Sequence, residues 1–285
     1  MRVGRIPYVN CYPVYGAIDR GVVPLDAEIV DGVPSALNAQ MAARTLDISV
    51  ISAVEYARDS RQYLLLPDLA ISCDGPVRGV MLFSKRPASE LRGRRVLVSR
   101  SSMTSVALLE LLFEHVWDSR PAFVPADAEV TDIARFAEEP HDARLVIGDA
   151  ALRLGTHLQD PDQRDELVDQ LGYRYAYDLG AEWKRWTGLP FVFAVWVAQR
   201  TADTRRSLDI HASLIASRDW GLTHLETLAA QAALATGVNR AACLAYLSDL
   251  DYGLSYGHLA GLTEFFRRLV AAGRVPDGSL SFLAA

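Results

Sequence analysis

The sequence is poor in the residues and patterns that mark several large functional classes. Only three cysteines occur in 285 residues, Cys11, Cys73 and Cys243, odd in number, widely spaced and without a CxxC pair. That excludes a disulfide framework and a thiolate metal site and leaves buried free thiols. No apolar run approaches the roughly 18 residues of a membrane span. The start, Met1-Arg-Val-Gly-Arg-Ile-Pro7, has no apolar export segment and no small-residue cleavage site, so a cytoplasmic protein is expected. Neither GxGxxG nor GxxxxGKS/T is present, which argues against a dinucleotide and a P-loop nucleotide. The six histidines are dispersed and form no HExxH, so nothing points to a metal. Basic excess is missing too: the formal net charge is -6 with both signs mixed along the chain. No electrostatic footprint for nucleic acid or an anionic membrane results. Cofactor-independent chemistry, or simple binding of a small molecule, is what these absences leave.

What is present describes a folded protein. Half the residues are apolar and 22% are charged, the balance of a globular chain, and the length favours two cores over one large one. The first half alternates short β-rich runs with helical patterns. Arg2 to Ile6, Ala27 to Val30, Asp47 to Ile51, Tyr63 to Leu66 and Val77 to Ser84 read as strands, and Ser35 is placed to cap a helix carrying Leu37 and Met41. A second unit starts near Pro87, with strands at Arg95 to Ser99, Ala122 to Val124 and Leu145 to Ile147 and an apolar helix from Thr104 to Val116. It closes with Phe191 to Ala198, apolar at nearly every position as a strand covered on both faces requires. After Gln199 the pattern is helical, with a capping box at Thr223 to Glu226, a stop at Gly237, a cap at Asn239 and a final helix from about His258 to Gly273. This order predicts an interrupted α/β arrangement: residues 1–86 with 198–285 in one lobe, 87–197 inserted as the other, and a ligand cleft between them.

Candidate chemistry sits at strand ends. The strand Arg95 to Ser99 runs into Ser102, Thr104 and Ser105 at the head of a long helix, where free N–H groups and small hydroxyls suit a carboxylate or phosphate. Plain N-capping explains the same residues. Ser52, Gly148 and Asp149 also follow strands, where open α/β sheets bind ligands, although Gly-Asp is equally a turn sequence. Asn10 lies just past the first strand between Pro7 and Pro13; its amide is able to orient a ligand or simply to close a turn. Phe191, close after Gly188-Leu189-Pro190, is a cleft candidate within an aromatic group that otherwise reads as core. Gly253-Leu254-Ser255-Tyr256-Gly257 fits the GxSxG nucleophile elbow, but a helical pattern precedes it and His258 is too near in sequence to be expected as its base.

Taken in order, these segments resemble the chorismate dehydratase family of menaquinone biosynthesis. The likeness is carried by Arg5-Ile-Pro-Tyr8-Val-Asn10 with Pro13, Pro34-Ser35-Ala-Leu37-Asn38, Leu46-Asp47-Ile48-Ser49 and Gly75-Pro76-Val77. It continues through Ser102 with Thr104-Ser105, Ile147-Gly148-Asp149, Tyr177-Asp178-Leu179-Gly180 and Gly188-Leu189-Pro190-Phe191. The resemblance implies a type II periplasmic-binding-protein-like fold and an enzyme of the futalosine route, a lyase that eliminates water from the dicarboxylate chorismate without metal or organic cofactor. It implies Asn10 as the polar contact to the reacting group and Ser35, Asn38, Ser52, Ser102, Thr104 and Ser105 as cleft donors. Where the family usually has a serine ahead of the strand after Gly-Pro-Val, this chain has Gly79. Two other functions remain open: a non-catalytic solute-binding protein, and the dihydroxynaphthoate-forming cyclase of the same pathway, whose Cys-Pro-Asn-Asp-like stretch has no match in Tyr8 to Pro13.

Overall fold

The computed structural model describes residues 1–126 and 139–284. Two five-stranded sheets organise them. The first contains β1 (Arg2–Arg5), β2 (Glu28–Asp31), β3 (Ile48–Ser52), β4 (Tyr63–Cys73) and β10 (Phe191–Gln199), in the order β2-β1-β3-β10-β4. The second contains β5 (Val80–Ser84), β6 (Arg95–Ser99), β7 (Ala122–Ala126), β8 (Ala143–Ile147) and β9 (Tyr175–Asp178), in the order β7-β6-β8-β5-β9. Pairs β1–β2, β1–β3, β6–β7 and β6–β8 are parallel, while β10 runs antiparallel to β3 and β4, and β5 antiparallel to β8 and β9.

Eleven α-helices and two short 3-10 turns, Val9–Cys11 and Ala88–Glu90, complete the described residues: α1 (Tyr12–Asp19), α2 (Pro34–Ala42), α3 (Ala53–Arg58), α4 (Met103–His115), α5 (Gly148–Gln159), α6 (Pro161–Leu171), α7 (Leu179–Thr187), α8 (Thr204–Thr223), α9 (Leu225–Thr236), α10 (Arg240–Asp249) and α11 (Tyr256–Ala271). They cover both faces of the central strands. Every residue of β3, β5 and β8 is buried, as is all of β10 except Ala194, because α2 and α3 pack on β3, α5 and α7 on β5, α5 on β8, and α3, α4, α7 and α11 on β10. Continuous apolar runs are stable only under such double cover.

The lobe boundaries differ from those expected. β5 belongs to the second sheet and β10 to the first, so the chain crosses at residues 74–79 and again after Asp178. A fully buried strand reads the same whichever sheet it joins, which is why the runs themselves did not reveal the exchange. Asp178 ties the two crossings together. Its carboxylate accepts the backbone N–H groups of Val77 at 3.0 Å and Arg78 at 2.6 Å from one crossing, and that of Ala181 at 3.1 Å as the N-cap of α7 in the other.

Two caps differ as well. Val33 is the N-cap of α2, with Pro34 in the first turn, so Ser35 lies inside the helix and does not cap it. The Thr223–Glu226 box is not made: Thr223 Oγ1 donates to the Trp220 carbonyl at 2.8 Å and Glu226 pairs with Arg240. Asn239 does cap α10, accepting from Ala242 N at 2.8 Å, and Gly237 ends α9 in the left-handed region. No helix of the described residues is long and apolar enough to cross a membrane.

Candidate active site

A small cavity of about 70 Å³ lies between the two sheets. Its walls come from the carboxyl ends of strands in both: Ile6 beyond β1 and Ser52 at the end of β3 on one side, Ser102 beyond β6 and Ile147 and Gly148 at the end of β8 on the other. That is where open α/β sheets offer loop residues and helix N-termini to a ligand.

Each polar wall has a local cause. Asn10 sits in a 3-10 turn, Val9–Cys11, between β1 and α1, and its side-chain oxygen is buried without a hydrogen-bond partner among the described residues. Ser102 caps α4, accepting from Ser105 N at 3.3 Å, and its hydroxyl lies 2.7 Å from that of Ser105. Both serines line the cavity, so the N-terminal end of a thirteen-residue helix is aimed at it, a favourable place for an anion. Gly148 has φ of 63°, a left-handed value that suits glycine, and a side chain there would press on the Tyr8 ring at 3.2 Å. No Asp, Glu, His, Lys or Arg of the described residues lines the cavity. The polar groups of the wall are therefore neutral donors and a helix end.

The profile of the menaquinone biosynthesis family matches residues 1–271. The chain belongs to that family. It is 29% identical over 272 residues to the chorismate dehydratase of Thermus thermophilus, covering 92% of this chain and 95% of the relative. In fold it is similar to a protein of Archaeoglobus fulgidus, with a TM-score of 0.77 at 20% identity over 96% of this chain and 98% of that one. It is also similar to a Candida albicans gene product with the generic periplasmic binding protein fold, with a TM-score of 0.68 at 10% identity over 100% and 97%.

In this family member several expected site residues stand behind the cavity wall. Asn38 is buried and grips Ser52, donating to its hydroxyl at 2.7 Å and accepting its backbone N–H at 3.1 Å, so it orients a wall residue from the second layer. Thr104 accepts the N–H of Val54 at 3.1 Å and so joins the starts of α4 and α3 across the lobes. Asp149 likewise accepts the N–H of Val9 at 3.1 Å, and burial pushes its carboxyl up to about 6 against that single donor. Ser35 does not line the cavity; Pro34 does. Phe191 belongs to the core, with its ring 5.1 Å from Trp183 and 4.9 Å from Phe265, and Phe193 is the aromatic wall. The cause is a register shift in β10 between Val192 and Ala194, which no pattern of apolar residues announces.

Tyr8, Ile71, Gly79 and Val80 were not anticipated as walls. Only Tyr8, beside Asn10 in a stiff Pro-flanked loop, carried a usable signal. His258 also departs from expectation. It does reach Ser255, with Nδ1 2.9 Å from the hydroxyl, while its Nε2 lies 3.1 Å from Asp251. The contact is a capping box at the head of α11 with histidine in the place of the usual glutamate, and no strand precedes the serine. The nucleophile-elbow geometry is absent from it.

Proposed function

We propose that the protein is a chorismate dehydratase, eliminating water from chorismate to give 3-(1-carboxyvinyloxy)benzoate in menaquinone biosynthesis. The nearly end-to-end alignment with the Thermus thermophilus enzyme carries this reading. The cavity supports it chemically. In the reaction a C–H bond at the ether-bearing ring carbon and the C–O bond of the neighbouring hydroxyl break, a ring double bond forms, and the proton leaves with the hydroxide as water. Aromatisation supplies the driving force, so the site has to orient the substrate, donate to the departing oxygen and provide a base.

With no Asp, Glu, His or Lys among the described wall residues, the substrate's own enolpyruvyl carboxylate takes the proton. Asn10 and the hydroxyls of Ser102 and Ser105 hold that carboxylate over the ring, and Ser52, fixed by Asn38, faces it from the first sheet. Preorganised neutral donors of this kind stabilise charge that shifts during reaction without a cation in the wall. On this reading the enzyme works in the cytoplasm, which fractionation of cells making the protein checks.

Purified protein mixed with chorismate, with no metal or nucleotide added, is expected to release the aromatic product at catalytic turnover, followed by chromatography and mass. Chorismate left intact overturns the assignment. Asn10→Ala is expected to lower kcat/KM on the order of 100-fold, and unchanged turnover in that variant removes Asn10 from the mechanism.

A further inference from the structure

Gly79 is a wall of the cavity between the lobes. Its backbone is not in the left-handed region, so conformation does not require glycine there. Space does. A Cβ at position 79 would collide with the Tyr246 hydroxyl and lie 3.1 and 3.2 Å from the Cζ and Cε2 atoms of that ring. The tip of Tyr246, reaching in from α10, thus fills the volume in which any side chain at position 79 would begin.

Tyr246 is 1% exposed. The charges that act on it are acidic: Asp149, Cys11, Asp178 and Cys243 all disfavour its ionised form, as does burial. The phenol is therefore a neutral O–H with a proton to give. Buried polar groups without partners are rare in folded proteins and call for a ligand or water. On the cavity that Gly79 lines, the Asn10 side-chain oxygen is such a group, buried with no hydrogen-bond partner among the described residues. An unpartnered acceptor in the wall and a neutral donor behind Gly79 are what a ligand carrying both a hydroxyl and a carboxylate satisfies.

We propose that Tyr246 donates a hydrogen bond to a substrate carboxylate oxygen through the gap left at Gly79. The tyrosine and the glycine are one unit: the side chain that position 79 lacks is supplied from α10. This rests on the chorismate reading of the cavity and adds to it a binding group from the C-terminal helices. A neutral donor also suits a wall without cations, because a hydrogen bond to a charged acceptor is stronger than one between neutral groups.

The test is a cycle of three variants, Tyr246→Phe, Gly79→Ser and the double variant, each assayed for turnover, for chorismate binding by calorimetry and for thermal midpoint. Tyr246→Phe keeps the ring and removes one oxygen. It is expected to raise KM and Kd on the order of 10-fold to 100-fold, with kcat within about 3-fold and the midpoint little changed. Gly79→Ser alone is expected to lose binding by a similar factor, since it displaces the ring. The double variant places a serine hydroxyl in the vacated space and is expected to regain most of the lost affinity, which a purely structural role for Tyr246 does not predict. Wild-type KM and Kd in Tyr246→Phe overturn the proposal, and so does a double variant no better than Gly79→Ser. Wild-type protein that binds chorismate without converting it removes the dehydratase reading while the binding arm still judges Tyr246. Protein that neither binds nor converts it overturns both.

Discussion

Asp178 and Asp149 are two partly buried carboxylates at opposite ends of the same problem, the joining of two lobes. Burial raises both above the ordinary carboxylate range. Asp178 receives backbone N–H groups from Val77, Arg78 and Ala181, which offset part of that rise and fix the two chain crossings to each other. Among the described residues Asp149 receives the N–H of Val9 alone and rests near 6. Donors aimed at a desolvated carboxylate counter the rise that burial causes. The crossings are locked by several donors at once, while the seam between α5 and the Asn10 loop is held by a single contact to a carboxyl that titrates near 6.

The comparison is broken most severely by Asp178→Ala, which strands three N–H groups and uncaps α7. A loss of roughly 3 kcal/mol is expected in urea unfolding; a loss below about 1 kcal/mol would mean that water replaces the carboxylate and that the crossings are not locked by it.

Asp149 gives the next largest effect, and its sign is opposite. Its folded pKa of about 6 lies above the ordinary 3.8, so the folded protein binds this proton more tightly than the unfolded chain. The contribution to stability is largest below about pH 4, falls as the pH rises from about 4 to about 6, and is constant above that. Allowing for the partial solvent access of the carboxylate, the drop is on the order of 2 kcal/mol. Asp149→Asn keeps an acceptor for Val9 and lacks the titration, so the stability difference between variant and wild type is expected to grow in the variant's favour across that window. Parallel pH curves for the two proteins would refute the assignment.

The smallest effect sharpens the picture of the seam. Thr104→Val removes the acceptor of the Val54 N–H at a cost of about 1 kcal/mol. Combined with Asp149→Asn it reports whether the two inter-lobe contacts act together, since independent contacts add and coupled ones do not.

Much of this was legible before any coordinates, for identifiable reasons. β10 announced itself because a strand covered on both faces is apolar at nearly every position, and Ser102 because a hydroxyl before a long apolar run is a cap. Asn10 stood out between two prolines and does face the cavity. Lobe membership was not legible, since sheet order is decided by contacts far apart in the chain. The exchange of Phe191 for Phe193 was hidden because a strand bulge leaves no mark in composition. Tyr246 was hidden for a further reason: its role depends on the absence of a side chain at Gly79, and only geometry brings those two positions together.

The place of β10 between β3 and β4 sets an order on assembly during synthesis. β3 and β4 leave the ribosome early, with the edges that will face β10 unpaired, and their missing neighbour follows only after all five strands of the second sheet have been made. Open edges invite pairing with other chains. The inserted lobe, whose strands are contiguous in the chain, is thus free to fold first, and the amino-terminal half of the protein waits for β10 as its keystone.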